Sequence, residues 1–188
     1  MQNKRPKVFL FINTYNLNQL SVLNKNIDII FRNYHNENNE DILIKIRDYC
    51  KKNGRKFYLS NNLKIALKLN LDGIYIPSFN QKINFVKYPI KRNFEIIGSA
   101  HNVKEIKTKI NQKCSLIFLS PIFKNDKNKD YLDVIKFNLL TLNYNFDFVA
   151  LGGINKSNLK KINLTKSIGF AGISGIKWEK KKRPKNNS

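Results

Sequence analysis

The segment Phe148-Val149-Ala150-Leu151-Gly152-Gly153-Ile154 decides the fold. Four apolar side chains run without alternation and stop at two glycines, and a polar, helix-starting stretch follows. A strand with one wet face alternates apolar and polar residues; an unbroken apolar run marks a strand covered on both faces, as in a parallel sheet. The glycines lack a Cβ, so their backbone N–H groups can come close to a bound group. In open and closed α/β sheets, ligands bind at this end of the strands. A Gly-rich turn between strand and helix is the plainer reading of the pair. The functional reading gains from other strands of the chain that end in the same informative way.

Working outward, residues 8–12, 27–31, 56–59, 74–76, 94–97, 115–119 and 168–171 read as further strands. Residues 17–23, 41–52, 63–69 and 155–162 read as helices between them. Another helix carries Val103, Ile106 and Ile110 on one face, and one more is marked by the spacing of Leu132, Ile135, Leu139 and Leu142. Asn61 or Asn62 suits the cap of the helix from residue 63, Asn102 with Glu105 resembles a capping box, and Pro77 closes the fourth strand. Residues 78–93 read as irregular. Strands alternating with helices imply right-handed βαβ units and a parallel sheet. Eight units close most simply into a compact (β/α)8 TIM barrel of the α/β class. Residues 1–176 are expected to form that single domain, with 177–188 a basic, frayed tail. The 188 residues are few for such a barrel, which usually takes about 250 and at least roughly 200.

Composition narrows the function. The hydrophobic fraction of 41% and the aromatic fraction of 12% are those of a chain that buries a core. No apolar run approaches the length of a membrane span, and residues 8–12 are too short for a signal-peptide core, so a cytoplasmic protein without membrane contact is expected. Cys50 and Cys114 have no metal-ligand spacing and read as buried small side chains. The net charge of +22 invites a nucleic-acid reading. The lysines, however, are scattered among Asn and Ile in every segment, as in AT-rich coding. A nucleic-acid surface gathers its charge on one face with stacking aromatics between, so no nucleic-acid partner is expected. The excess charge would still draw an anionic substrate in.

The strand ends hold the candidate chemistry. Ser99, Ala100 and His101 are expected to follow strand five. His101 there serves either to meet a phosphate or shuttle a proton, or simply to start a helix. Ser120, ahead of Pro121, offers a hydroxyl to an anion, and the loop behind it brings Lys124, Lys127 and Lys129. Gly152 and Gly153 lie beside the eighth strand's end, Gly172 to Ser174, where this fold recurrently binds phosphate. Arg32, at the end of strand two, is either a bidentate phosphate partner or a surface arginine.

The order IIGSAH, LSPIF, ALGGIN, GFAGIS resembles the thiamine phosphate synthase family, which also contains thiazole tautomerases. The resemblance runs from about residue 27 to 176 and favours the synthase branch, because the tautomerases carry a histidine where this chain has Pro121. It implies a (β/α)8 barrel that joins hydroxymethylpyrimidine diphosphate to thiazole phosphate with Mg²⁺ and loss of pyrophosphate. It implies that Arg32, Ser60 and a loop lysine, Lys127 or Lys129, meet the diphosphate, and Asn61 and Ser120 are counted among the substrate-binding residues. Ser99 and His101 would line the middle, and Gly152, Gly153, Gly172 and Ser174 would hold the thiazole phosphate. A homo-oligomer is compatible with it. The chain departs from the family at the carboxylates expected to hold Mg²⁺, which fall at Asn61 and near Asn80; no metal ligand is therefore assigned. Amides are weaker ligands for a hard cation. The departure keeps a second reading open, a non-catalytic barrel that binds a phosphorylated thiazole or a related ligand.

Overall fold

In a computed structural model, residues 6–24, 26–33, 39–83, 89–125 and 130–172 are described. The tail beyond 172, Ser174 included, and Lys127 and Lys129 lie outside the described residues. Eight parallel strands form a closed barrel in sequence order: β1 Lys7–Ile12, β2 Ile27–Phe31, β3 Phe57–Ser60, β4 Gly73–Ile76, β5 Glu95–Ala100, β6 Leu116–Leu119, β7 Phe148–Leu151 and β8 Gly169–Gly172. The ring closes where β1 pairs with β8, from Lys7 against Gly169 to Leu10 against Gly172. Helices α1 Leu17–Ser21, α2 Glu40–Lys52, α3 Leu63–Lys68, α4 Val103–Asn111 and α5 Asp133–Thr141 connect the strands, with a 3-10 helix Leu159–Leu164 before β8. Among the described residues, no helix is long and apolar enough to cross a membrane.

Both faces of the strands are buried, as the opening segment requires. Alternate residues of β1 show how: Phe9 and Phe11 point inward, Leu10 and Ile12 outward against the helices. The interior is filled by large aromatics. Phe118 meets Phe9, Phe11 and Tyr75 edge-on, with ring centroids 5.0, 6.0 and 5.8 Å apart. Bulky rings let a small barrel fill its centre. Toward the N-terminal ends of the strands, Glu95 accepts hydrogen bonds from Lys56 and from the Tyr58 hydroxyl. Burial alone would raise the Glu95 pKa; those two partners outweigh it and hold the carboxyl below its usual range. A carboxylate lowered on folding stabilises above its unfolded pKa and loses that contribution as pH falls through the folded value. Glu95→Gln should therefore lower the urea midpoint at pH 7. The gap to the wild type should close as pH drops through about 4.3 and below.

The structure corrects several expected boundaries. Strand β5 runs on to Ala100, so Gly98 and Ser99 lie within it rather than after it. The helix expected over 155–162 is the 3-10 helix just given and begins later, at Leu159. Asn62, not Asn61, caps α3, accepting from the Ile65 N–H at 3.1 Å. In α4, Ile106 is buried but Val103 is exposed. In α5, Phe137 and Thr141 face the barrel, while Ile135, Leu139 and Leu142 are 69%, 63% and 56% exposed. Phe137→Ala should thus cost about 3–5 kcal/mol and Leu139→Ala at most about 0.5 kcal/mol, read from urea unfolding. Cys50 and Cys114 are buried free thiols, as expected, and burial pushes both up to about 12.

Candidate functional site

The C-terminal strand ends gather most of the expected residues. Arg32 follows β2; its N–H donates to Ile12 O at 2.8 Å, and its guanidinium carbon stands 4.9 Å from the centre of the Phe11 ring. Phe11 in turn meets Tyr75 edge-on at 5.1 Å. The arginine therefore lies over the aromatic floor of the barrel mouth, held by the ring face. No described carboxylate pairs with it. An anion entering the mouth would meet a guanidinium that no described carboxylate neutralises.

Ser99 is buried, and its Oγ accepts from the Tyr75 hydroxyl at 2.8 Å. It orients Tyr75 from within the barrel wall and does not stand in the loop after the strand. His101 bridges three strand ends. Its Nδ1 lies 2.7 Å from Ser120 O and 3.2 Å from Ser120 Oγ, and its Nε2 lies 3.1 Å from Ser78 Oγ. A carbonyl can only accept, so Nδ1 carries a proton. Neutral His101 then accepts from Ser78 at Nε2. Both ring nitrogens have partners, and the His101 N–H donates to Glu105 Oε2 at 2.7 Å. This geometry makes His101 a tie between β4, β5 and β6. Ser120 is buried beside it.

At β7, Gly152 and Gly153 have φ of +90° and +71°, the left-handed region that favours glycine. Phe123 N–H donates to Gly152 O at 3.1 Å, and Asn158 Nδ2 donates to Gly153 O at 2.8 Å. The carbonyls are thus engaged, while no described residue accepts from the two glycine N–H groups. Gly172 ends β8, the neighbouring strand. The turn beside that strand end thus carries two N–H groups without a described acceptor.

Ser60 closes β3 and is buried. Asn61 follows with φ of +61°, and its Oδ1 accepts from Asn80 Nδ2 at 2.6 Å. These are the two positions where the resemblance implies magnesium-binding carboxylates. Each is an amide, and they bond to one another. Neutral amide oxygens hold a hard cation such as Mg²⁺ more weakly than carboxylates, and here Asn61 Oδ1 already accepts from Asn80 and Asn80 Oδ1 from the Lys82 N–H, so this pair does not fit the ion. Among the described residues, no group of three or more His, Cys, Asp or Glu side chains comes together as a metal site.

Sequence reasoning missed Tyr75, Ser78 and Asn158 in these roles. It also passed over Lys109 and Gln112, buried on α4 and at its C-terminal cap beneath the Asn80 loop. A signal existed: Lys109 stands three residues after Ile106, on the helix face turned to the barrel. A cavity of about 410 Å³, lined in part by Ser115, Tyr144, Asp147 and Lys166, opens at the other end of the barrel. It touches none of the candidate residues, and ligands of this fold bind at the C-terminal strand ends.

Comparison with known proteins shows the family and supports the fold. A thiamine-phosphate synthase of Prochlorococcus marinus is 31% identical over 80% of this chain, a match spanning only 44% of that relative. A thiamine-phosphate synthase of Pelagibacter ubique is 30% identical, covering 96% of this chain and 94% of its own. Thiamine phosphate pyrophosphorylase from Pyrococcus furiosus superposes with a TM-score of 0.72 over 89% of this chain and 85% of its own, at 19% identity, which speaks to the fold. The family model for thiamine monophosphate synthase matches residues 21–176, and the chain belongs to that family.

Proposed function

We propose that this barrel is a thiamine phosphate synthase-like transferase. It joins hydroxymethylpyrimidine diphosphate to thiazole phosphate and releases pyrophosphate. One arrangement supports the reading: the barrel mouth carries the Arg32 guanidinium over Phe11 and, on the Gly152–Gly153 turn, two N–H groups without a described acceptor, two features suited to anions. They follow β2 and β7, which β1 and β8 separate in the ring. Two phosphorylated substrates, each held by its own anchor, would then meet over the aromatic floor between them.

The reaction asks little acid–base chemistry of the protein. The thiazole nitrogen donates its lone pair to the pyrimidine methylene carbon. The carbon–oxygen bond to the diphosphate breaks, and its electrons leave with pyrophosphate. Catalysis then rests on alignment of the two rings and on stabilising the charge that develops on the leaving group. Arg32 supplies that charge in this reading, and Ser60, Ser120 and the loop lysines Lys127 or Lys129 assist on the diphosphate side. The glycine turn with Gly172 and Ser174 holds the thiazole phosphate. Tyr75, fixed by Ser99, sets the floor, and His101 keeps three strand ends in register. The same reading puts the protein in the cytoplasm, acting on small phosphorylated molecules and not on nucleic acid.

The Asn61–Asn80 hydrogen bond favours a second reading, a barrel that binds a phosphorylated thiazole without turnover. Pyrophosphate release separates the two. The transferase releases it only when both substrates are present, with or without added Mg²⁺. Calorimetric binding of thiazole phosphate with no release at any Mg²⁺ concentration would leave the binder.

A further inference from the structure

The loop over 77–82 carries both Ser78, which meets His101, and Asn80, which meets Asn61. It is held from beneath by two buried polar side chains, one on α4 and one at its C-terminal cap. Lys109 Nζ donates to Pro77 O at 2.7 Å, to Asn80 O at 2.9 Å and to Gln112 Oε1 at 2.9 Å. Gln112 Nε2 donates to Asn80 O and Lys82 O, both at 2.9 Å. All three ammonium hydrogens and both amide hydrogens are thereby used, and neither residue is accessible to solvent. The network is complete, the condition under which a buried polar cluster fixes one geometry.

Packing shows that the wall is shaped for this lysine. A Cβ at Gly98 in β5 would stand 2.8 Å from Lys109 Cδ and 2.9 Å from Cys114 Sγ. Glycine leaves the channel through which the stem passes. Burial pushes the Lys109 ammonium down to about 8, so the charge is held there at a cost. Anchoring α4 does not require it, since Ile106 and Ile110 pack the same helix on the barrel. What the ammonium reaches is the carbonyl of Asn80, the residue whose side chain bridges to the tip of β3.

We propose that Lys109 and Gln112 form a strut that presets the 77–82 loop and so shapes the diphosphate half of the mouth. Lys109 is a positioning residue, acting through Asn80 and Ser78. The kinetic part rests on the transferase reading; the loop-ordering part does not.

Lys109→Met keeps the stem and removes the donors. Hydrogen exchange should speed at least tenfold at the Asn80 and Lys82 amides, which donate to Pro77 O and Asn80 Oδ1, with β1 and β8 unchanged. The KM for the pyrimidine diphosphate should rise at least tenfold, while that for thiazole phosphate, bound at the glycine turn, stays within twofold. Should that variant fail to fold, Gln112→Leu gives the same pattern at smaller size. Unchanged exchange at the loop, or both KM values rising together, overturns the strut. A wild-type chain without turnover removes the transferase reading and leaves the strut to be decided by exchange alone.

Discussion

Gly153→Ala is expected to lose about 2–4 kcal/mol of stability, to lower the melting temperature by on the order of 10 °C, and to weaken thiazole phosphate binding at least tenfold. Two effects combine. The first is conformational: φ of +71° puts any Cβ into the sparsely allowed left-handed region, at about 1–2 kcal/mol. The second is steric. The new methyl would overlap the Phe123 carbonyl oxygen and stand 2.6 Å from Phe123 C and 2.7 Å from Lys124 O. These are backbone atoms, and they cannot swing aside. Ile122 N–H is bonded to Leu151 O at 2.9 Å, and Ile122 O accepts from Asp133 N–H at 2.8 Å. The loop after β6 must therefore shift as a unit and take the glycine turn with it. Gly54→Ala isolates the first effect, because Gly54 has φ of +63° and a Cβ added there would meet nothing within 4 Å. That control should cost about 1 kcal/mol and leave binding alone. Equal losses for the two variants, or a Gly153→Ala chain that binds thiazole phosphate normally, would remove the glycine turn from the site.

How much of this is legible depends on whether local pattern and tertiary role agree. At 148–151 they do: four apolar residues need cover on both faces, and the barrel gives it. At β5 they do not. Gly98 reads as a strand end, yet it lies within a strand, where its missing Cβ leaves room for the Lys109 stem. Ser99 is thereby expected in a loop, whereas its hydroxyl is turned to Tyr75. In α5 the apolar side chains fall on more than one face, so spacing alone picks Ile135, Leu139 and Leu142 as readily as Phe137. Periodicity finds a helix there but not its buried face. Arg32 and the glycine pair are legible as residue types at strand ends, whereas the partners of His101 come from β4 and β6 and exist only once the ring has closed. The Asn61–Asn80 contact joins residues 19 apart, and only the adjacency of β3 and β4 brings them together.

The second large effect is expected at Arg32. Arg32→Ala should lower kcat/KM for the pyrimidine diphosphate about 10²–10³-fold, the usual loss when one donor aimed at developing charge is removed. The charge in question appears on the departing pyrophosphate, so the loss belongs to kcat at least as much as to KM. Binding of pyrophosphate itself should weaken as well. Arg32→Lys should recover only part of the rate, because lysine restores the charge without the planar fork that grips two phosphate oxygens or lies flat on Phe11. Stability should change little: the side chain's visible contact is the Phe11 ring at 4.9 Å, worth about 0.5–1 kcal/mol at an accessible site. Thiazole phosphate binding should stay within twofold, since the glycine turn follows β7, which β1 and β8 separate from β2. The two variants thus form a crossed pair, with Gly153→Ala losing the thiazole phosphate and Arg32→Ala the diphosphate. If Arg32→Ala turned over normally, the guanidinium would be no more than a cover for Phe11. If it weakened both ligands equally, the mouth would hold one shared anion site, and the placement of two substrates on separate anchors would fail.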